Sequence, residues 1–330
     1  MTYLGNHTKN KCGLKLTSFT SHVKGTCLSK GLPLKERMVK WTVRTIHTGI
    51  TNQLGYYLAG LIEGDGSIIL RQGEREKTSP KIVFTFGKNE IPMYEKLQKI
   101  LNTGVIYTEK IGVCRYSITN ADEVINVINL VNGKFRTPKI LALYKAIDNI
   151  NKWRNANIVK LPLDTSSLDS NAWLAGFIDT DGHFSIKLTG EYGSNDTVTR
   201  GRVQCVFSIN QSELNRVTSE SNVPFMTQLA KFFQVNLNHK VENSPLFKKP
   251  GNTIVFFAQS DRKHYIITTY LTKFPLMSTK YLNYLSFFKG LNYLGKRLTE
   301  QEILDIRAIK SSMNNSRTYY NWDHLNDFYT

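Results

Sequence analysis

At 330 residues the chain can hold two domains of ordinary size, and a hydrophobic fraction of 41% with 11% aromatics excludes a disordered chain. A formal net charge of +17 calls for a polyanionic partner, either nucleic acid or an anionic membrane surface. No run of about 18 apolar residues is present, which excludes a membrane-spanning helix and favours nucleic acid.

Residues 1–50 carry nine lysines and arginines, Lys9 to Arg44, against the single acid Glu36, with no helical or strand period. They are expected to form a basic, poorly ordered extension. Three roles stay open: an arm that touches phosphate, an organellar targeting segment, or translated upstream sequence without a fold. Cys12, Cys27, Cys114 and Cys205 are scattered, without metal-site or disulfide spacing, and are expected to be incidental thiols of a reducing compartment.

From Thr51 the pattern becomes regular. Thr51 or Asn52 is expected to cap a helix through Leu54, Leu58, Leu61 and Ile62 that stops at Gly66. Strands are predicted at 67–71 and 81–86, a helix at 92–101, strands at 104–107 and 113–118, and helices at 121–131 and 138–150. A polar linker covers 156–168. The order then recurs: a helix at 173–181 capped by Ser170 or Asn171, strands at 184–188 and 201–209, and a helix at 224–233. Strands at 235–241 and 253–259 and helices at 263–272 and 279–288 complete it. Thr299 and Glu302, at capping-box spacing, open one more helix to Ser311. The expected fold is α+β, two pseudo-symmetric αββαββα repeats at 51–155 and 169–330.

The two opening helices share a motif. Leu58-Ala59-Gly60-Leu61-Ile62-Glu63-Gly64-Asp65-Gly66-Ser67 matches Leu174-Ala175-Gly176-Phe177-Ile178-Asp179-Thr180-Asp181-Gly182-His183 class by class, the mark of an internal duplication. Asp65 and Asp181 fall in the last helical turn, where the macrodipole disfavours carboxylates. One misplaced acid is ordinary, but two in register ask for a bound cation, which inverts the local preference. Gly60 and Gly64 lie one turn apart, as do Gly176 and Thr180. Small residues at that spacing let the two helices pack closely and bring Asp65 near Asp181. Two carboxylates with carbonyls and waters suit Mg²⁺, and such a site can hydrolyse a phosphodiester.

These paired motifs resemble the signature of the LAGLIDADG homing endonucleases, in the monomeric form with two motifs in one chain. The resemblance covers about residues 51–290 and departs at Glu63, Gly64, Phe177 and Thr180, without touching the eighth-position acids. It implies that Asp65 and Asp181 ligate the metals, with the carbonyls of Gly64 and Thr180, and that Glu63 and Asp179 are structural. It also implies a lysine near the catalytic waters in each half. Lys139, in Lys134-Phe135-Arg136-Thr137-Pro138-Lys139, and Lys280, in Lys273-Phe274-Pro275-Leu276-Met277-Ser278-Thr279-Lys280, fit that place. Gln211, ending Phe207-Ser208-Ile209-Asn210-Gln211, resembles a glutamine that orders water; Lys88 occupies the matching place in the first half.

The resemblance further implies that each antiparallel sheet curves over the DNA major groove. Strand alternation then directs Ser67, Ile69 and Arg71, and His183, Ser185 and Lys187, toward DNA, with Ser79, Lys81 and Thr85 matching Arg202, Gln204 and Ser208 on the second strands. Arg71, Arg202 and Gln204 suit bidentate base contacts. The target would be non-palindromic and span roughly two helical turns at about 10 bp each. The implied activity is Mg²⁺-dependent cleavage of both DNA strands across the minor groove, leaving short 3′ overhangs, by an intron-encoded monomer of an organelle, the mitochondrion favoured. The alternative is an RNA-splicing maturase that binds its host intron with the same fold; a third reading is a degenerate DNA-binding regulator.

Overall fold

The computed structural model describes residues 47–70, 79–109, 112–189, 201–215, 218–242 and 251–326, all within one compact unit, Thr42–Thr330. Residues 1–46 and Arg71 lie outside the described residues. In chain order the first half holds α1 (His47–Gly64), β1 (Gly66–Ile69), β2 (Lys81–Gly87), α2 (Ile91–Leu101), β3 (Val105–Thr108), β4 (Val113–Ile118), α3 (Ala121–Val131) and α4 (Ile140–Arg154). The second holds α5 (Trp173–Asp181), β5 (Gly182–Thr189), β6 (Arg202–Ser212), α6 (Val223–Phe232), β7 (Asn238–Glu242), β8 (Gly251–Ala258), α7 (Asp261–Lys273) and α8 (Lys280–Gly290), followed by α9 (Glu300–Ser311). The closing α of each αββαββα repeat is thus a pair of helices.

Two four-stranded antiparallel sheets have the same order, β1-β2-β4-β3 and β5-β6-β8-β7. Their inner faces follow the period-2 alternation. Ile82, Phe84, Phe86, Cys114 and Tyr116 in one, and Phe184, Ile186, Cys205, Phe207 and Phe256 in the other, are buried against the helices. The helices α1 and α5 are apolar almost all round because each is covered on every side: Leu58, Leu61 and Ile62, and Leu174, Phe177 and Ile178, are all at most 2% exposed. They join the two halves into one continuous core.

Several local expectations change. Helix α1 opens at His47, so Thr51 and Asn52 are interior positions, tolerated there at a cost below about 1 kcal/mol each. Asn171 rather than Ser170 serves α5: its Oδ1 accepts from Trp173 N at 3.1 Å, while Ser170 Oγ turns back to Ser167 O. Gln53 of α1 adds a second cap, accepting from Ala172 N at 2.9 Å. Gly66 and Gly182 do not end their helices in the left-handed region. Gly182 is extended (φ −72°, ψ 145°), and both are small because a Cβ would meet the preceding turn, 2.6 Å from Ile62 Cα and 2.5 Å from Ile178 Cγ2. The capping box of α9 forms between Thr299 and Glu302.

Candidate active site and nucleic-acid interface

Helices α1 and α5 cross at their glycines. A Cβ on Gly60 would lie 2.0 Å from Trp173 O, and one on Gly176 would lie 2.0 Å from Tyr57 O, so no side chain fits at either crossing position. One turn further on, Thr180 fills the space above Gly64. A Cβ there would lie 1.8 Å from Thr180 Oγ1 and 2.9 Å from Asp181 Oδ2. The small-residue spacing therefore works as close approach, and it brings the acid of one motif over the end of the other.

Asp65 follows α1 directly and is exposed, whereas Asp181 is the last residue of α5 and is half-buried. Burial, then the charge of Asp65, push the Asp181 carboxyl up to about 6, while Lys280 and Lys139 pull it down. The two lysines stand at the N-terminal ends of α8 and α4. Lys139 Nζ donates to the carbonyls of Ile62 (3.0 Å), Gly64 (2.9 Å) and Gly66 (2.9 Å), and Lys280 Nζ donates to Thr180 O. Burial lowers the affinity of both amines for their proton, opposed by the acids around them. Asp65, Asp181, Gly64, Thr180, Lys139 and Lys280 thus form one cluster.

Glu63 and Asp179 hold that cluster in shape. Glu63 accepts from Arg136 N (3.0 Å), Thr137 N (2.6 Å) and Thr137 Oγ1 (2.6 Å), which fixes the turn before Lys139. Asp179 does the same for the turn before Lys280, accepting from Met277 N (2.7 Å), Ser278 N (3.1 Å) and Ser278 Oγ (2.5 Å). Each also takes a ring donor from the opposite motif helix: Trp173 Nε1 to Glu63 Oε2 and Tyr57 Oη to Asp179 Oδ2, both at 2.6 Å. Burial pushes Glu63 up to about 7 and raises Asp179, and in both the donors pull back. Arg136 completes the first arrangement, paired with Asp164 of the linker and lying 5.6 Å over the Trp173 ring. Trp173→Phe and Tyr57→Phe each leave a buried carboxylate one donor short, so urea denaturation should show a loss of about 1–3 kcal/mol for either.

The outer faces of the sheets carry most of the remaining candidates. Cross-strand pairing aligns Ile69 with Lys81, Thr85 with Arg115, His183 with Ser208, Lys187 with Gln204 and Arg202 with Thr189. Ser67, Ile69, Thr85, His183, Lys187 and Arg202 are exposed; Lys81, Ser185 and Gln204 are half-buried. Ser208 is 9% exposed, between His183 and Phe257 on the same face. Ser79 stands outside β2 and lines a small cleft with Ala121, Ile150 and Trp153, so the ladder does not present it with the others. His183 lies near Lys280, and partial shielding of its ring from water, followed by that charge, lowers its basicity. Gln211 sits on the core-side parity of Phe207 and Ile209, opposite Ile254. The registers Gly66–Phe84 and Gly182–Ile209 shift the expected match by two residues: Val83 corresponds to Ser208 and buried Phe86 to Gln211. Exposed Lys88 lies two residues further on, opening a 3-10 turn. Among the described residues neither Gln211 nor Lys88 is hydrogen-bonded to Asp65 or Asp181.

Four outer-face residues escaped the sequence reading: Tyr107 and Arg115 on β3 and β4, and Lys240 and Phe257 on β7 and β8. The alternation around buried Cys114 and Tyr116 already directs Arg115 outward. Lys240 Nζ lies 4.8 Å over the Phe257 ring. The cysteines Cys114 and Cys205 are free and buried.

Fold and site together define a two-repeat α+β protein whose halves are joined through paired helices that end in facing acids. The family model described as LAGLIDADG endonuclease matches residues 58–150 and 174–291, and the chain belongs to that family. It is similar to the intron-encoded DNA endonuclease aI3 of Saccharomyces cerevisiae, 29% identical over 308 residues, covering 84% of this chain and 74% of the relative. It is also similar to the intron-encoded RNA maturase bI4 of that yeast, 24% identical over 233 residues, covering 61% of this chain and 35% of the relative. Among solved structures, the I-LtrWI LAGLIDADG homing endonuclease bound to target DNA superposes with a TM-score of 0.57 at 18% identity, covering 81% of this chain and all of that one. No helix among the described residues is long and apolar enough to cross a membrane.

Proposed function

We propose that the chain is a monomeric, intron-encoded homing endonuclease that cuts both strands of a long non-palindromic DNA site with Mg²⁺. The observation that carries this reading is the meeting of Asp65 and Asp181 at the ends of α1 and α5, flanked by Lys139 and Lys280. The donor set suits a hard cation: two carboxylates and the main-chain oxygens of Gly64 and Thr180. Among the described residues no group of three or more His, Cys, Asp or Glu could hold a metal alone, so DNA phosphate and water would complete the shell. A bound Mg²⁺ supplies Lewis acidity to the phosphodiester and acidifies water.

The chain's own residues do the remaining work. Asp65 and Asp181 would fix the cation positions. Lys280, with one N–H given to Thr180 O, keeps protons to offer to water or phosphate oxygen, whereas Lys139, its three N–H bonds taken by carbonyls, would act on them through its charge. Gln211 and Lys88 would order solvent differently in the two halves. The outer sheet faces read the major groove, with Arg202 toward guanine and Gln204 toward adenine. The Gln204 amide is already oriented, Nε2 donating to Gln259 Oε1 at 2.6 Å. Outer-face residues differ between the halves, Ser67 against His183 and Ile69 against Ser185, hence a target without two-fold symmetry. The working units are 51–155 and 169–330, joined by 156–168. The basic N-terminal 50 residues and the intron-encoded relatives favour an organelle, the mitochondrion first.

A randomised duplex library incubated with the protein and Mg²⁺ should yield one cleaved site family. Cutting should stop with EDTA and return with added Mg²⁺; cutting that persists undiminished in EDTA would remove the metal mechanism. The likeness to an RNA maturase supports a second activity on intron RNA, which a splicing assay with both acids replaced by asparagine would separate from cleavage.

A further inference from the structure

The two lysines of the cluster are held differently. Lys139 Nζ is anchored by three carbonyls, whereas Lys280 Nζ donates to Thr180 O. Lys280 has a different support, and it comes from the other repeat. Glu90, the residue before α2, accepts from Thr279 N (3.0 Å to Oε2) and from Thr279 Oγ1, and Thr279 is the residue before α8 and Lys280. Its carboxylate charge also acts on Lys280 itself.

This brace has no mirror image. The position matching Thr279 in the first half is Pro138, which has no N–H and no hydroxyl to donate. The position matching Glu90 in the second half is Asn222, each standing just before an X-Pro helix start, Ile91-Pro92 and Val223-Pro224; the Asn222 amide donates to Ser212 O within its own repeat. The C-terminal residues tie the same corner from outside. Tyr320 Oη accepts from Asn89 Nδ2 at 2.8 Å, beside Glu90, and His324 Nε2 donates to Met277 O at 2.9 Å, two residues before Thr279.

We propose that Glu90 is a positioning residue for Lys280, set across the interface from the first repeat, and that it makes the two DNA cuts unequal in their requirements. The cut served by Lys280 depends on the Glu90–Thr279 brace; the cut served by Lys139 does not. The inference rests on the endonuclease reading.

The test follows each strand separately on a target duplex, taken from the cleaved library, with a different fluorophore on each strand. Lys280→Met and Lys139→Met assign each nick to its lysine. Glu90→Gln removes the charge, and Thr279→Pro converts the second half to the first half's arrangement at a backbone position (φ −55°) that proline adopts. Both variants should slow the Lys280 nick about tenfold, the cost of a modest misplacement of a reacting group, and leave the Lys139 nick at its native rate. Melting curves check that each variant is folded. Equal slowing of both nicks, an unchanged ratio, or a selective loss of the Lys139 nick overturns the brace while the endonuclease stands. A native chain that cuts no duplex removes both readings.

Discussion

Asp65→Asn and Asp181→Asn should each reduce cleavage of the target duplex by about 10³-fold, because under the proposed mechanism each removes a ligand of the cation that would stabilise the transferring phosphate. Affinity for the duplex should stay near the native value, since the outer sheet faces that would hold DNA are untouched. The same substitution at position 181 should raise the melting temperature in metal-free buffer. Burial and the Asp65 charge both disfavour ionised Asp181 in the folded chain, so a neutral amide relieves a cost that Lys280 and Lys139 offset only in part. A gel assay with strand-labelled duplex, a binding titration and a melting curve report the three effects. Full cleavage by either variant would end the assignment of these acids to the metal.

The parts of this site that were legible in the sequence are those that one strand of chain encodes locally. Asp65 and Asp181 stood out because two copies of one motif placed a carboxylate at the wrong end of a helix. The helix at Trp173–Asp181 and the succession of helices and strands along both repeats followed from period and turn residues. What escaped depends on the meeting of distant segments. Trp173 read only as the first residue of a helix, yet its Nε1 serves Glu63 of the opposite motif, and Tyr57 serves Asp179 in the same way. No local period encodes that reciprocity. Gly66 read as a helix terminator because glycine serves left-handed caps and tight contacts alike, and only the position of Ile62 separates the two. The Glu90–Thr279 bond spans 189 residues and joins two ordinary-looking helix starts.

Gly60→Ala and Gly176→Ala should be the most damaging conservative changes in the chain for stability, each costing about 3 kcal/mol or more in urea denaturation. The added Cβ meets a main-chain oxygen at 2.0 Å, and an oxygen inside a helix cannot step aside as a side-chain tip could. The helices must separate, which draws Trp173 away from Glu63 and Tyr57 away from Asp179 and leaves two buried carboxylates short of donors. Cleavage should fall with them, since the same separation moves Asp181 from Asp65. Two comparisons distinguish this from a general intolerance of alanine. Gly87→Ala, at φ −77° with nothing within 4 Å of the new methyl, should be neutral or stabilising by up to about 1 kcal/mol. Gly64→Ala clashes with a side chain instead, Thr180 Oγ1 and Cβ, so adding Thr180→Gly should recover part of the loss, whereas no side-chain truncation recovers Gly60→Ala. If Gly60→Ala melts with the native protein, the helices do not cross where their glycines meet, and the convergence of the two aspartates loses its structural cause.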